Sequence, residues 1–146
     1  MRIPVLALLI VLVPAFADAQ ANGKLQIHQL NVGQGDATLI ISPLGQTMLI
    51  DTGPTTASAC ASATGIVTYL ISIGLTHLDY HVASHYHADH IGCTDRVQAI
   101  WPVQIAAYDR GLTDLPSTAI YLTYVTMRLD SREQRRQHGI DDGQVT

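Results

Sequence analysis

A chain of 146 residues, 47% hydrophobic and 14% charged, has the length of one domain. Its formal charge of −4 provides no general attraction to nucleic acid or anionic lipid. That balance counts against a nucleic-acid module without excluding a local metal site that acts on phosphate esters.

The first segment reads as a secretory signal peptide. Met1-Arg2 carries one positive charge, Ile3 to Val13 is an apolar run broken only by Pro4, and Pro14 ends any helix. Ala17-Asp18-Ala19 then sets small residues at the two positions that a signal peptidase reads. The run is too short to cross a membrane, and no later segment approaches that length. Residues 1–19 are therefore expected to be removed, leaving 20–146 as a secreted or periplasmic domain with no membrane span. About 127 residues suffice for a modest core that buries roughly two-thirds of the unfolded surface. Loss of Arg2 and Asp18 leaves the charge balance unchanged.

The remaining chain opens with extended segments. Leu25 to Leu30 alternates apolar and polar residues as a half-buried strand does, with His28 on its polar side. Gly33-Gln34-Gly35-Asp36 is a turn, Ala37 to Ser42 a β-branched strand, and Pro43-Leu44-Gly45-Gln46 a second turn. Thr47 to Ile50 is the next strand and ends at Asp51-Thr52-Gly53-Pro54, which completes an antiparallel meander. Ala57 to Thr64 is small and polar, and Ile66 to Ile73 has helix length with Gly74 as a stop. Leu78 to Ala83 reads as a strand, Ile91 to Ile100 as a short helix and Val103 to Tyr108 as a further strand. Thr118 to Arg128 has helical length and apolar spacing, and the arginines at 128, 132, 135 and 136 follow in a polar end. Strands followed by alternating helices and strands give an α/β layered domain with a mixed sheet.

Chemistry concentrates in Ser84-His85-Tyr86-His87-Ala88-Asp89-His90. If the chain is still extended at His85 and His87, their i, i+2 spacing puts both imidazoles on one side. Asp89 and His90 follow, and Gly92 allows a tight turn. Three nitrogen ligands and one oxygen ligand suit a borderline cation such as Zn²⁺. The segment also leaves a strand end, where α/β folds place their ligands. His28, His77 and His81 read instead as structural histidines, and His138 as a surface residue or a distant ligand. Asp51, at a strand terminus, either caps a turn or orients the histidine loop, and Asp36 has the same two readings. In an oxidising compartment Cys60 and Cys93 pair most naturally as one disulfide. Two buried free thiols, or Cys93 as a metal ligand, stay open.

These residues resemble a known family. His85-x-His87-x-Asp89-His90 is similar to the signature of the metallo-β-lactamase superfamily, whose fold is an αββα sandwich. Asn31-Val32-Gly33-Gln34-Gly35-Asp36-Ala37 and Leu49-Ile50-Asp51-Thr52-Gly53 resemble the extracytoplasmic hydrolase domain of bacterial competence (DNA-uptake) channels and its secreted relatives. The resemblance covers about Leu25 to Cys93. It implies that His85 and His87 bind one metal, that Asp89 and His90 bind a second, and that the complete site holds two Zn²⁺. It also implies a metal-bound hydroxide as nucleophile, oriented by Asp89, with Asp51 as buried support of the loop. Family domains are longer and draw further ligands from their second half. Here only Asp95, Asp109, Asp114, Asp130, His138, Asp141 and Asp142 follow His90, none in a matching context. The expectation is an N-terminal portion of the domain, an incomplete sandwich in which one sheet face lacks its partner.

The function expected on this reading is hydrolysis of a phosphodiester or nuclease-like substrate, with ester or lactone hydrolysis as the alternative within enzymes. A truncated, non-catalytic metal-binding remnant is the alternative from another class. Nucleic-acid binding by the arginines at 128 to 136 is a third reading, set against the usual role of such a run as a solvated helix face.

Overall fold

A computed structural model describes residues 21–111, 113 and 115–137. The expected signal segment, Asp114, His138, Asp141 and Asp142 lie outside the described residues, as do the side chains of 130–137, Asp130 and Arg132 among them.

Five short strands form one sheet in the order β1-β2-β3-β4-β5. β1 (Gln26–Gln29), β2 (Thr38–Ile41) and β3 (Thr47–Ile50) make the expected antiparallel meander, joined by an eight-residue loop at 30–37 and a five-residue turn at 42–46. β4 (Leu78–Ala83) and β5 (Val103–Asp109) join parallel to β3, each reached through helices as parallel pairing demands. The sheet is therefore mixed and the class α/β.

The helices differ from the sequence reading in instructive ways. α1 (Ala57–Cys60) arises in the small, polar stretch because the Thr56 hydroxyl accepts from Ala59 N–H at 3.2 Å. α2 (Ile66–Ser72) stands where expected. The helix expected over Ile91 to Ile100 is two, α3 (Ala88–Ile91) and α4 (Thr94–Ile100). They part at Gly92, whose N–H donates to Gly53 C=O at 2.9 Å and where a Cβ would sit 2.3 Å from Thr55 N. α5 (Ala119–Gln137) runs past the expected end at Arg128. Cys60 and Cys93 are disulfide-bonded with Cα atoms 5.5 Å apart, so Cys93 has no free thiol to offer a metal.

One sheet face is the core. His28, Leu39, Leu49, His81 and Ala107 align across all the strands, and Leu39, Leu49 and His81 are fully buried. Ile66 and Leu70 of α2, Val97 of α4 and Tyr124 of α5 cover this face. Burial of the Leu39 and Leu49 side chains contributes about 2 kcal/mol each.

The facing of β1 corrects the sequence reading. His28 points at the core and meets Tyr69 Oη at 2.7 Å through Nδ1, whereas Leu25 and Ile27 are 60% and 65% exposed. Register decides the matter: Ile27 aligns with Ile40, Met48 and Tyr80 on the opposite face. That face is apolar and open among the described residues, with Tyr108 also exposed.

His81 makes the core pH-sensitive. Burial pushes it down to about 4 from 6.5, against the attraction of Asp51 and Asp109. The unfolded chain then binds the extra proton between those values, so stability is complete above pH 6.5 and falls as pH drops towards 4. The expected loss is on the order of 3 kcal/mol across that window. Urea unfolding at a series of pH values checks it, and His81→Leu is expected to flatten that part of the profile.

Candidate metal centre

β3 and β4 lie side by side and end at the same sheet edge, with Ile50 opposite Val82. Asp51 extends the pairing by donating its N–H to Val82 C=O at 2.8 Å. It then turns with φ +56°, a left-handed conformation that aspartate tolerates better than most residues. Its carboxylate is thereby delivered beside the chain that leaves β4.

There Asp51, 2% exposed, is the hub of the loop. Ser84 N–H donates to Oδ1 at 2.8 Å, Ser84 Oγ to Oδ2 at 2.5 Å, and His90 Nδ1 lies 2.7 Å from Oδ2. A carboxylate only accepts, so His90 Nδ1 carries the hydrogen, and in the neutral ring Nε2 keeps a lone pair.

Two backbone clasps hold the loop in place. Thr52 N–H donates to His90 C=O at 2.6 Å, its hydroxyl meets Thr94 Oγ1 at 3.1 Å, and Gly53 N–H donates to Asp36 C=O at 2.8 Å. The Gly33–Asp36 turn closes from the other side. Gly35 has φ +93° and lies so near that a Cβ there would stand 1.8 Å from Asp89 O. Asp36 N–H reaches that same oxygen at 3.4 Å, and Gln34 Nε2 reaches Asp89 Oδ2 at 3.4 Å. Asp36 thus meets the loop through its backbone; its carboxylate accepts from Gln29 Nε2 at 2.5 Å.

Between β4 and α3 the side chains alternate, as extended chain requires. Tyr86 points inward, 4% exposed, packs on Tyr121 and Tyr124 at ring-centroid distances of 4.9 and 5.7 Å, and donates to Gly111 C=O at 2.7 Å. Burial first, and then Asp109, push its phenol up to about 12. His85 and His87 share the other side with ring centroids 4.7 Å apart, and the His90 ring lies 3.9 Å from that of His85.

Electrostatics favour the ligand form of His85 and of Asp89. Desolvation, followed by the neighbouring His90 and His87, holds His85 below the usual histidine value. Desolvation works to raise the Asp89 carboxyl, but its own backbone N–H, Gln34 and the two histidines outweigh it and leave it lowered. Three imidazoles and a carboxylate are a donor set that Zn²⁺ accepts. Among the described residues, however, no three side chains converge on one ion position. The loop gathers the donors and orients His90, yet the rings lie against one another rather than around a common point.

The other candidates lie apart. His81 is in the core against Gln98, His77 pairs with Asp79 at 3.3 Å, and His28 pairs with Tyr69. Asp95 starts α4, and Asp109 accepts from Arg128 and Tyr124 on α5. That cluster, the buried Asp79 beneath Thr47, and above all Ser84 were missed by sequence reasoning. Ser84 could have been found, because it stands at the strand end that delivers the histidines.

The family model described as the metallo-beta-lactamase superfamily matches residues 30–140, a span that begins just after β1 and holds β2 to β5, the histidine loop and its clasps. No curated protein matches the chain.

Proposed function

The chain belongs to the metallo-beta-lactamase superfamily, and on that footing we propose that it is a secreted metal-dependent hydrolase acting on a phosphodiester. Superfamily members are generally metal-dependent hydrolases and typically bind zinc. The observation that carries the reading is the buried Asp51 carboxylate, which holds His90 Nδ1 and both Ser84 donors at the root of a loop bearing His85, His87, Asp89 and His90.

In this reading His85 and His87 would hold one zinc ion, and Asp89 and His90 would hold a second. The chemistry that zinc would supply there is a water ionised near neutral pH. Asp89, clasped by Gln34, orients the attacking group. Asp51 keeps His90 in the tautomer that leaves Nε2 available. The Gly33–Asp36 turn fixes how deeply Asp89 sits. The competence-type motifs at Asn31–Ala37 and Leu49–Gly53 favour a phosphodiester over an ester or lactone.

A non-catalytic metal-binding remnant is the second reading. It is favoured by the absence, among the described residues, of three converging ligands. Zinc-supplemented chain 20–146 should hydrolyse bis(p-nitrophenyl) phosphate, and His87→Ala should lose on the order of a hundredfold or more of that rate. Turnover of p-nitrophenyl acetate alone would move the substrate to esters. Tight zinc without any turnover would establish the remnant.

A further inference from the structure

The Ser84 hydroxyl has one hydrogen and three polar neighbours: Asp51 Oδ2 at 2.5 Å, His85 Nδ1 at 3.1 Å and His90 Nδ1 at 3.4 Å. Asp51 as a carboxylate has no hydrogen to give, and its oxygen is much the nearest, so the Ser84 hydrogen goes to it. Oγ is then left only with lone pairs. His85 Nδ1 can bond to it solely as a donor, and His90 Nδ1 already donates to Asp51 at 2.7 Å.

We infer that Ser84 is a positioning residue whose hydroxyl relays Asp51 to His85, giving His85 the Nδ1–H tautomer that Asp51 gives directly to His90. One buried carboxylate thereby sets two ring tautomers, and both rings keep an Nε2 lone pair. His87 receives no such bond among the described contacts, so the relay distinguishes the histidines on either side of it. The consequence for metal binding rests on the hydrolase reading above; the tautomers themselves do not.

The test uses ¹⁵N-labelled chain 20–146, treated with chelator, and long-range ¹H–¹⁵N correlations of its imidazoles at about pH 8, above the ordinary histidine pKa. Wild type should show His85 and His90 both as Nδ1–H. Ser84→Ala should release His85 from that tautomer while His90 keeps it, and Ser84→Thr should restore His85. The Ser84 N–H bond to Asp51 Oδ1 at 2.8 Å survives both changes and holds the backbone. Zinc affinity should fall roughly 10- to 100-fold in Ser84→Ala and recover in Ser84→Thr. His85 as Nε2–H in wild type, or unchanged in Ser84→Ala, overturns the relay. A changed tautomer with unchanged zinc affinity overturns the positioning role. Wild type that binds no zinc counts against the hydrolase reading, while the imidazole signals still decide the relay.

Discussion

Asp51→Ala is expected to destabilise the chain by on the order of 3 to 5 kcal/mol and to cut zinc affinity by about 10- to 100-fold. Three donors lose their acceptor at once: Ser84 N–H, Ser84 O–H and His90 Nδ1–H. All three converge on a carboxylate that water hardly reaches, so little solvent can replace it. Alanine also bears the φ of +56° less well than aspartate, at a cost of about 1 kcal/mol. Asp51→Asn separates these effects, because it keeps the shape and the conformational tolerance but offers a hydrogen where one must be accepted. It should retain more of the stability and still lose zinc affinity. Urea unfolding and competition titration against a chromophoric chelator measure both quantities. A loss of under about 1 kcal/mol for Asp51→Ala would show that the buried hub contributes little.

Gly35→Ala should be nearly as damaging, and Gly33→Ala serves as its internal control. Both glycines have positive φ, +80° at Gly33 and +93° at Gly35. Each alanine therefore incurs a conformational cost of about 1 to 2 kcal/mol. They differ in surroundings: a Cβ at Gly33 meets nothing within 4 Å, whereas one at Gly35 stands 1.8 Å from Asp89 O. That contact is with backbone, so the turn itself must withdraw from the loop. Overpacking adds about 1 to 3 kcal/mol, and displacement of Asp89 should weaken zinc binding in Gly35→Ala alone. Equal losses in the two variants would mean that the turn does not clasp the loop.

The architecture was largely legible in the sequence because its cues are local. Turn residues at 33–36 and 43–46 bound β-branched runs, and the meander followed from them. Errors arose where long-range contacts decide. Alternation in Leu25–Leu30 marked a strand correctly, but pairing with Leu39, not hydrophobicity, turns His28 inward and Ile27 outward. A continuous helix over Ile91 to Ile100 fails because Gly92 must approach Gly53 and Thr55. Spacing placed four candidate ligands within six residues, yet the role of Ser84 depends on Asp51, 33 positions away in sequence. Asp36 shows the same limit, since its backbone rather than its carboxylate reaches Asp89.

The proposed hydrolase rests on zinc binding by His85, His87, Asp89 and His90. X-ray absorption of the zinc-loaded chain 20–146 tests it most directly, read beside the zinc content of the His85→Ala and His87→Ala variants. Nitrogen-dominated scattering at about 2.0 to 2.1 Å, with an imidazole outer shell that weakens in both variants as their zinc content falls, is the expected result. Zinc that fails to bind above background, or that binds both variants as tightly as wild type, would rule out this loop as the zinc site.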